Sequence, residues 1–212
     1  MRNSIAPIVY PARHSAGRAL LRLRAHVANC LLGGKYQVTP EGLIIGGGLR
    51  AVGRYFHRIR EREPEFTMDP NLVVDQGILK ILGIAYFTDA KINAYYLALT
   101  KGSTAVTGGL TAANFAATQD EITSTSEGYT AATRPAYVPA APVAGIITNA
   151  ANKASYTIAT AASVTITGCG LLSDNGRGST AGFLMSASQF ANGRELFNGE
   201  TFDLAYQTSL ID

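Results

Sequence analysis

Residues 201–207, Thr-Phe-Asp-Leu-Ala-Tyr-Gln, decide how this chain is read. Phe202, Leu204 and Tyr206 alternate with Asp203, Ala205 and Gln207. That period of two places one set on a buried sheet face and the other on the opposite face. Residues 153–159 repeat the pattern, with Ala154, Tyr156 and Ile158 set against Ser155, Thr157 and Ala159. Working outward, further strand-like runs occupy Ile92 to Thr100, Tyr129 to Val138, Ile146-Ile147, Val164 to Ser173 and Phe183 to Ser186. Lys101-Gly102-Ser103, Asp174-Asn175-Gly176 and Asn198-Gly199 punctuate them as turns. About seven or eight short strands with few helical turns predict a mainly β fold, an antiparallel β-sandwich or jelly roll with one or two short helices.

Two helices are expected within it. Asp69-Pro70 has the form of a cap followed by proline at the first helical position, which predicts a helix over Asn71 to Leu82. Leu72, Val73, Leu79 and Leu82 would form its buried stripe, Ile78 and Ile81 would flank it, and Gly83 would end it. Thr111 caps a single turn running through Phe115. The Thr-, Ser- and Gly-rich stretch from Thr118 to Thr133 reads as a long surface loop.

The 212 residues include 22 glycines and only 16% charged residues, a low charge that suits a surface partly covered by neighbours. Their net charge of +3 is unevenly spread. Residues 1–66 hold 11 basic residues against 4 acids, and residues 67–212 hold 7 against 11. A basic arm over residues 1–68 is therefore expected ahead of a β-rich body over residues 69–212. In the arm, Leu20, Leu23, Val27 and Leu31 fall at helical spacing and predict a short helix over about 15–32, with Gly33-Gly34 ending it. Residues 35–67, interrupted by Pro40 and Gly46-Gly47-Gly48, read as extended.

The basic groups of the arm are the candidate partner-binding residues: Arg13, Arg18, Arg22 and Arg24 along the helix, then Arg50, Arg54, Arg58, Arg60 and Arg62 interleaved with Tyr55 and Phe56. Arginine with aromatics suits nucleic acid and protein interfaces alike. Glu61, Glu63 and Glu65 close the run, which favours a protein surface over nucleic acid. No apolar run reaches the ~18–20 residues that span a bilayer, so no membrane partner is expected.

Candidates for chemistry are few. His14, His26 and His57 all fall in the arm, which leaves the expected body without an imidazole. Asp120-Glu121 reads as a solvated loop pair, and Cys30 and Cys169 read as small apolar fillers without metal-ligand spacing. The expectation is a protein that is not an enzyme, with no cofactor and no metal.

Several stretches carry a resemblance. They are Asn71-Leu72-Val73-Val74 into Gly77-Ile78-Leu79, Tyr95 to Leu99, Tyr129 to Tyr137, Ile147 to Ala150, Val164 to Gly168 and Asn198-Gly199-Glu200. Together they span about residues 70–212, and there the chain resembles virion structural proteins of short-tailed bacteriophages, of the capsid decoration or cement type. The resemblance implies a protein made in the host cytoplasm that ends on the capsid surface. There it would bind and stabilise a shell of major capsid protein and self-associate as a dimer or trimer. A neck, tail or fibre component stays open as an alternative, and a carbohydrate-binding module as a more remote one.

Overall fold

In the computed structural model, the described residues are 36–39, 42–45 and 50–211. Two units divide the chain. In the first, Met1–Leu49, strands β1 (Tyr36–Thr39) and β2 (Gly42–Ile45) form an antiparallel hairpin with Thr39 opposite Gly42. The helix expected over about 15–32 lies outside the described residues.

The second unit, Arg50–Ile211, is an antiparallel sandwich of two sheets. One sheet is built on β3 (Arg50–Ile59) and β13 (Thr201–Ile211), which pair along ten residues from Phe202 opposite Ile59 to Ile211 opposite Arg50. β4 (Thr67–Pro70) flanks β3. On the other side of β13 lie β10 (Ala154–Ala159) with β7 (Gly128–Tyr129), and β9 (Ile146–Thr148). The second sheet runs in the order β5 (Leu72–Val73), β12 (Leu184–Phe197), β11 (Ser163–Leu172), β6 (Tyr95–Thr100) and β8 (Ala136–Tyr137).

The predicted alternation holds in β10, and β3 alternates in the same way. Ala154, Tyr156 and Ile158 face inward, as do Tyr55, His57 and Ile59. Against them from the second sheet pack Leu97, Leu99, Ile166, Cys169, Phe190 and Leu196. In β13 Asp203 and Ala205 are buried as well, Asp203 beneath the side chains of Arg58, Arg60 and Ser155. The Tyr156 hydroxyl donates to the Leu97 carbonyl at 2.8 Å, and the Tyr55 hydroxyl meets Ser186 Oγ at 2.9 Å. Each bond ties one sheet to the other.

A second cluster covers the outer side of the second sheet. Helices α1 (Asp75–Tyr86) and α2 (Ala112–Thr118) lie there, with Phe115, Leu110 and Val74 packed on Ala98, Leu172 and Ala187. Thr111 stands at the N-cap of α2 as predicted, and its amide donates to Asn114 Oδ1 at 2.8 Å. Gln76 Oε1 accepts from the Ala112 and Leu184 amides, joining both helices to β12.

Four expectations are corrected. First, the extended segment through residue 67 does not stand apart: β3 is interior to a sheet, so the compact unit begins at Arg50 and the boundary expected after residue 68 falls inside it. With the division at Arg50, residues 1–49 hold six basic residues against Glu41, and the charge asymmetry persists. Second, the helix runs Asp75–Tyr86 with Val74 at its cap, because Asp69 and Pro70 belong to β4, and Gly83 lies within the helix. Third, its large apolar side chains point outward. Gly77 and Lys80 are the buried positions, since the helix rests on the backbone of β12. Fourth, Glu121, Ile122 and Tyr129 are buried, so Thr118 to Thr133 is not a surface loop throughout.

The close seating of α1 depends on the missing side chain at Gly77, where an added Cβ would sit 2.3 Å from the Met185 carbonyl oxygen. Gly77→Val is expected to push the helix off β12 and lower stability by about 1–3 kcal/mol, read from the urea midpoint of unfolding.

Candidate functional site

β3 carries the predicted basic cluster, and its two faces have different fates. Tyr55 is fully buried against Tyr206 and is withdrawn from any partner surface. Arg54, Phe56, Arg58 and Arg60 share the outer face. There Asp203, fully buried, receives Arg58 Nε at 3.2 Å, the Arg60 guanidinium and Ser155 Oγ at 2.8 Å. Burial alone would raise the Asp203 carboxyl, but these donors outweigh it and hold the group below its ordinary range. Arg58 also lies over the Phe66 ring at 4.6 Å, and Arg62 pairs with Glu200 at 2.7 Å. Arg58, Arg60 and Arg62 are thus engaged within the fold, Arg60 and Arg62 while still partly exposed, and Arg54 is exposed and makes no ion pair with another described residue. Arg50 is placed by backbone pairing with Ile211, and Arg13, Arg18, Arg22 and Arg24 lie outside the described residues.

Beside these arginines, Phe56, Phe66, Thr148, Ala150, Ala205 and Gln207 line an apolar groove of about 280 Å³ on the outer face of the β3–β13 sheet. Met68, directly opposite Phe56 on β4, stands exposed next to it. Phe66 and Met68 were not singled out in the sequence. The signal was present in Phe66-Thr67-Met68, whose alternation matches a β-strand, but Pro64 and Pro70 bracket it and disguise it.

The imidazole assigned to the arm belongs to the body. His57 is buried between Phe190, stacked at 4.0 Å, and Phe202. Its Nε2 donates to Asp69 Oδ2 at 2.7 Å, while Asp69 Oδ1 accepts from the Ala191 amide at 2.9 Å. Burial lowers the His57 pKa, and the Asp69 hydrogen bond opposes it only in part. The neutral ring is a structural strut that fastens β3 and β4 to β12.

Glu121 is corrected in the same way. It forms a fully buried two-point pair with Arg134, both bonds 2.7 Å, and accepts from the Gly178 amide at 3.1 Å. Arg134 also donates to the Asp174 carbonyl. Arg177 lies over the Tyr129 ring at 3.7 Å and donates to carbonyls of Ile122, Ser124, Tyr129 and Ala131. Together they weld the segment 119–134 to the turn at 174–179. Cys169 is buried, which pushes its thiol pKa up and keeps it protonated. Among the described residues no cluster of three metal-ligating side chains occurs and no helix is long and apolar enough to cross a membrane.

Comparison with known proteins finds no matching protein family, no matching curated protein and no matching solved structure.

Removing one partner of the Glu121–Arg134 pair strands the other charge in the interior. Arg134→Met is expected to cost about 3–5 kcal/mol in chemical denaturation, and the double variant Glu121→Met/Arg134→Met to recover most of it. His57 supplies a pH signature. The unfolded chain binds a proton near the ordinary pKa of 6.5 and the folded chain does so only at lower pH, so stability falls as pH drops below about 6.5. Urea unfolding at a series of pH values is expected to show this slope, at most about 1.4 kcal/mol per pH unit, and His57→Gln to flatten it. Asp203, with a lowered pKa, contributes above the ordinary carboxylate range and loses that contribution only at more acid pH.

Proposed function

We propose that the protein is a non-catalytic structural component of a bacteriophage particle, a decoration or cement protein that sits on the capsid surface and stabilises a shell of major capsid protein. The observation that carries this reading is the open outer face of the β3–β13 sheet. An apolar groove bordered by Phe66 and Met68 stands there beside the exposed Arg54, on a unit preceded by a net-positive segment. A groove of this kind takes an apolar side chain from a partner, and the adjoining positive charge favours an acidic surface around it.

The other ionisable groups of the unit's interior fit a scaffold. His57, Asp69, Glu121, Arg134 and Asp203 are engaged with one another or with backbone, and none reaches an open cleft together with a nucleophile. Of the tyrosines that could stack on a sugar, Tyr55, Tyr129, Tyr156 and Tyr206 are core residues. That favours a protein partner over a glycan.

Add-back to purified shells lacking the protein tests the reading. The wild-type chain is expected to bind in hundreds of copies and raise the temperature of shell disruption, with copy number read by quantitative mass spectrometry. Phe66→Ser/Met68→Asp is expected to weaken binding by roughly tenfold or more while leaving the far-UV spectrum and thermal midpoint near wild type. Absence of shell binding by the wild-type chain would sink the proposal. A dozen copies or fewer per particle would replace it with a neck, tail or fibre role.

A further inference from the structure

Helix α1 is oriented against the usual rule for an amphipathic helix. Its small and polar positions, Gly77 and Lys80, face the sheet, and Ile78, Leu79, Leu82 and Tyr86 form the outward arc. Leu79 is 68% exposed, Tyr86 83% and the following Phe87 76%. The patch continues past the helix. Ile81 faces Pro142, Ile146 and Ile147 across an apolar groove of about 280 Å³, and the tight turn Val143–Ile146 holds Val143 outward beside it.

We infer that this outward face of α1, extended by the Val143–Ile146 turn, is a twofold contact between two copies of the chain. Three observations select a second copy as the occupant. The first is area: the exposed side chains together present on the order of 800 Å² of apolar surface, which is one partner's share of a stable interface and more than ordinary monomers leave open.

The second is charge. Between Gln76 and Phe87 the only ionisable side chain besides Tyr86 is Lys80, and it is buried in an ion pair with Asp89 at 2.9 Å. A face this apolar matches homodimer interfaces, whereas the groove beside Arg54 has the mixed character of a surface for an unlike partner.

The third is self-complementarity. In a twofold contact residue i of one copy meets residue j of the other and the reverse. Two antiparallel copies of α1 centred on Leu82 set Ile78 opposite Tyr86 in both directions, since each lies four residues from Leu82. The same register sets Asp75 opposite Asp89 at the rim, each seven residues from Leu82, and leaves the centre of the contact without charge. The inference rests on the fold and not on the particle reading, and either can fail without the other.

Sedimentation velocity of the full-length chain at about 1 to about 100 μM tests it, a range that spans the dissociation constants of weak and ordinary homodimers. The wild-type chain is expected to reach twice the monomer mass. Leu79→Glu/Leu82→Glu is expected to weaken association more than about thirtyfold with an unchanged far-UV spectrum. As a second readout, Leu82→Cys in a Cys30→Ser background is expected to give a disulfide-linked dimer on mild oxidation where Cys30→Ser alone, left with the buried Cys169, gives none. A wild-type chain that stays monomeric throughout the range overturns the inference, as do a folded double variant that associates normally and a Leu82→Cys chain that fails to cross-link.

Discussion

The ladder between β3 and β13 is the constraint on which the rest depends. Ten residue pairs join two segments about 150 positions apart, so closing it confines nearly everything between them. Both faces of the ladder are specified. Tyr55 meets Tyr206 and His57 meets Leu204 on the core side, and Arg58 meets Asp203 on the other. A slip of one residue would turn Asp203 into the aromatic core and Tyr206 to the outer face, so each face excludes the wrong register independently. β4 and β10 then attach to a frame already fixed, and β4 passes through Asn71 into β5 of the opposite sheet.

What the sequence revealed follows the range of each signal. Alternation is local, and Ala154-Tyr156-Ile158 and the Thr111 cap were readable because each sets its own environment within a few residues. Asp69-Pro70 misled because a capping aspartate and a strand-end aspartate look alike until His57 and the Ala191 amide are found beside it. The identity of α1 was legible and its orientation was not. Leucine and isoleucine announce an apolar face, while Gly77 is the only residue in it that announces how closely a backbone approaches on the other side. The candidate site was half legible: the basic run of β3 stands out in the sequence, but Asp203, which engages Arg58 and Arg60, stands some 140 residues away.

The buried polar groups form a second layer of specification. Glu121–Arg134 and His57–Asp69 contribute little more net stability than apolar residues of the same size would, since charge and dipole leave water when the chain folds. Their geometry is narrow, however. Arg134 is satisfied only when Glu121, Asp174 and Ser179 converge on it, which admits one arrangement of the segments that carry them. The sheets supply cohesion, and these groups select among the ways in which irregular segments could lie at the sandwich's end.

Arg177 gives that selection an unusual form. It grips the 122–131 segment through four main-chain carbonyls and the Tyr129 ring, and so, Tyr129 apart, depends on the path of the backbone rather than on the side chains that follow it. Thr123, Thr125, Ser126 and Thr130 accordingly owe no side chain to this clamp. At those four positions the sequence can change while the path of the backbone, fixed also by the buried Ile122 and Tyr129, is kept. One guanidinium thereby separates what the loop is from where it goes.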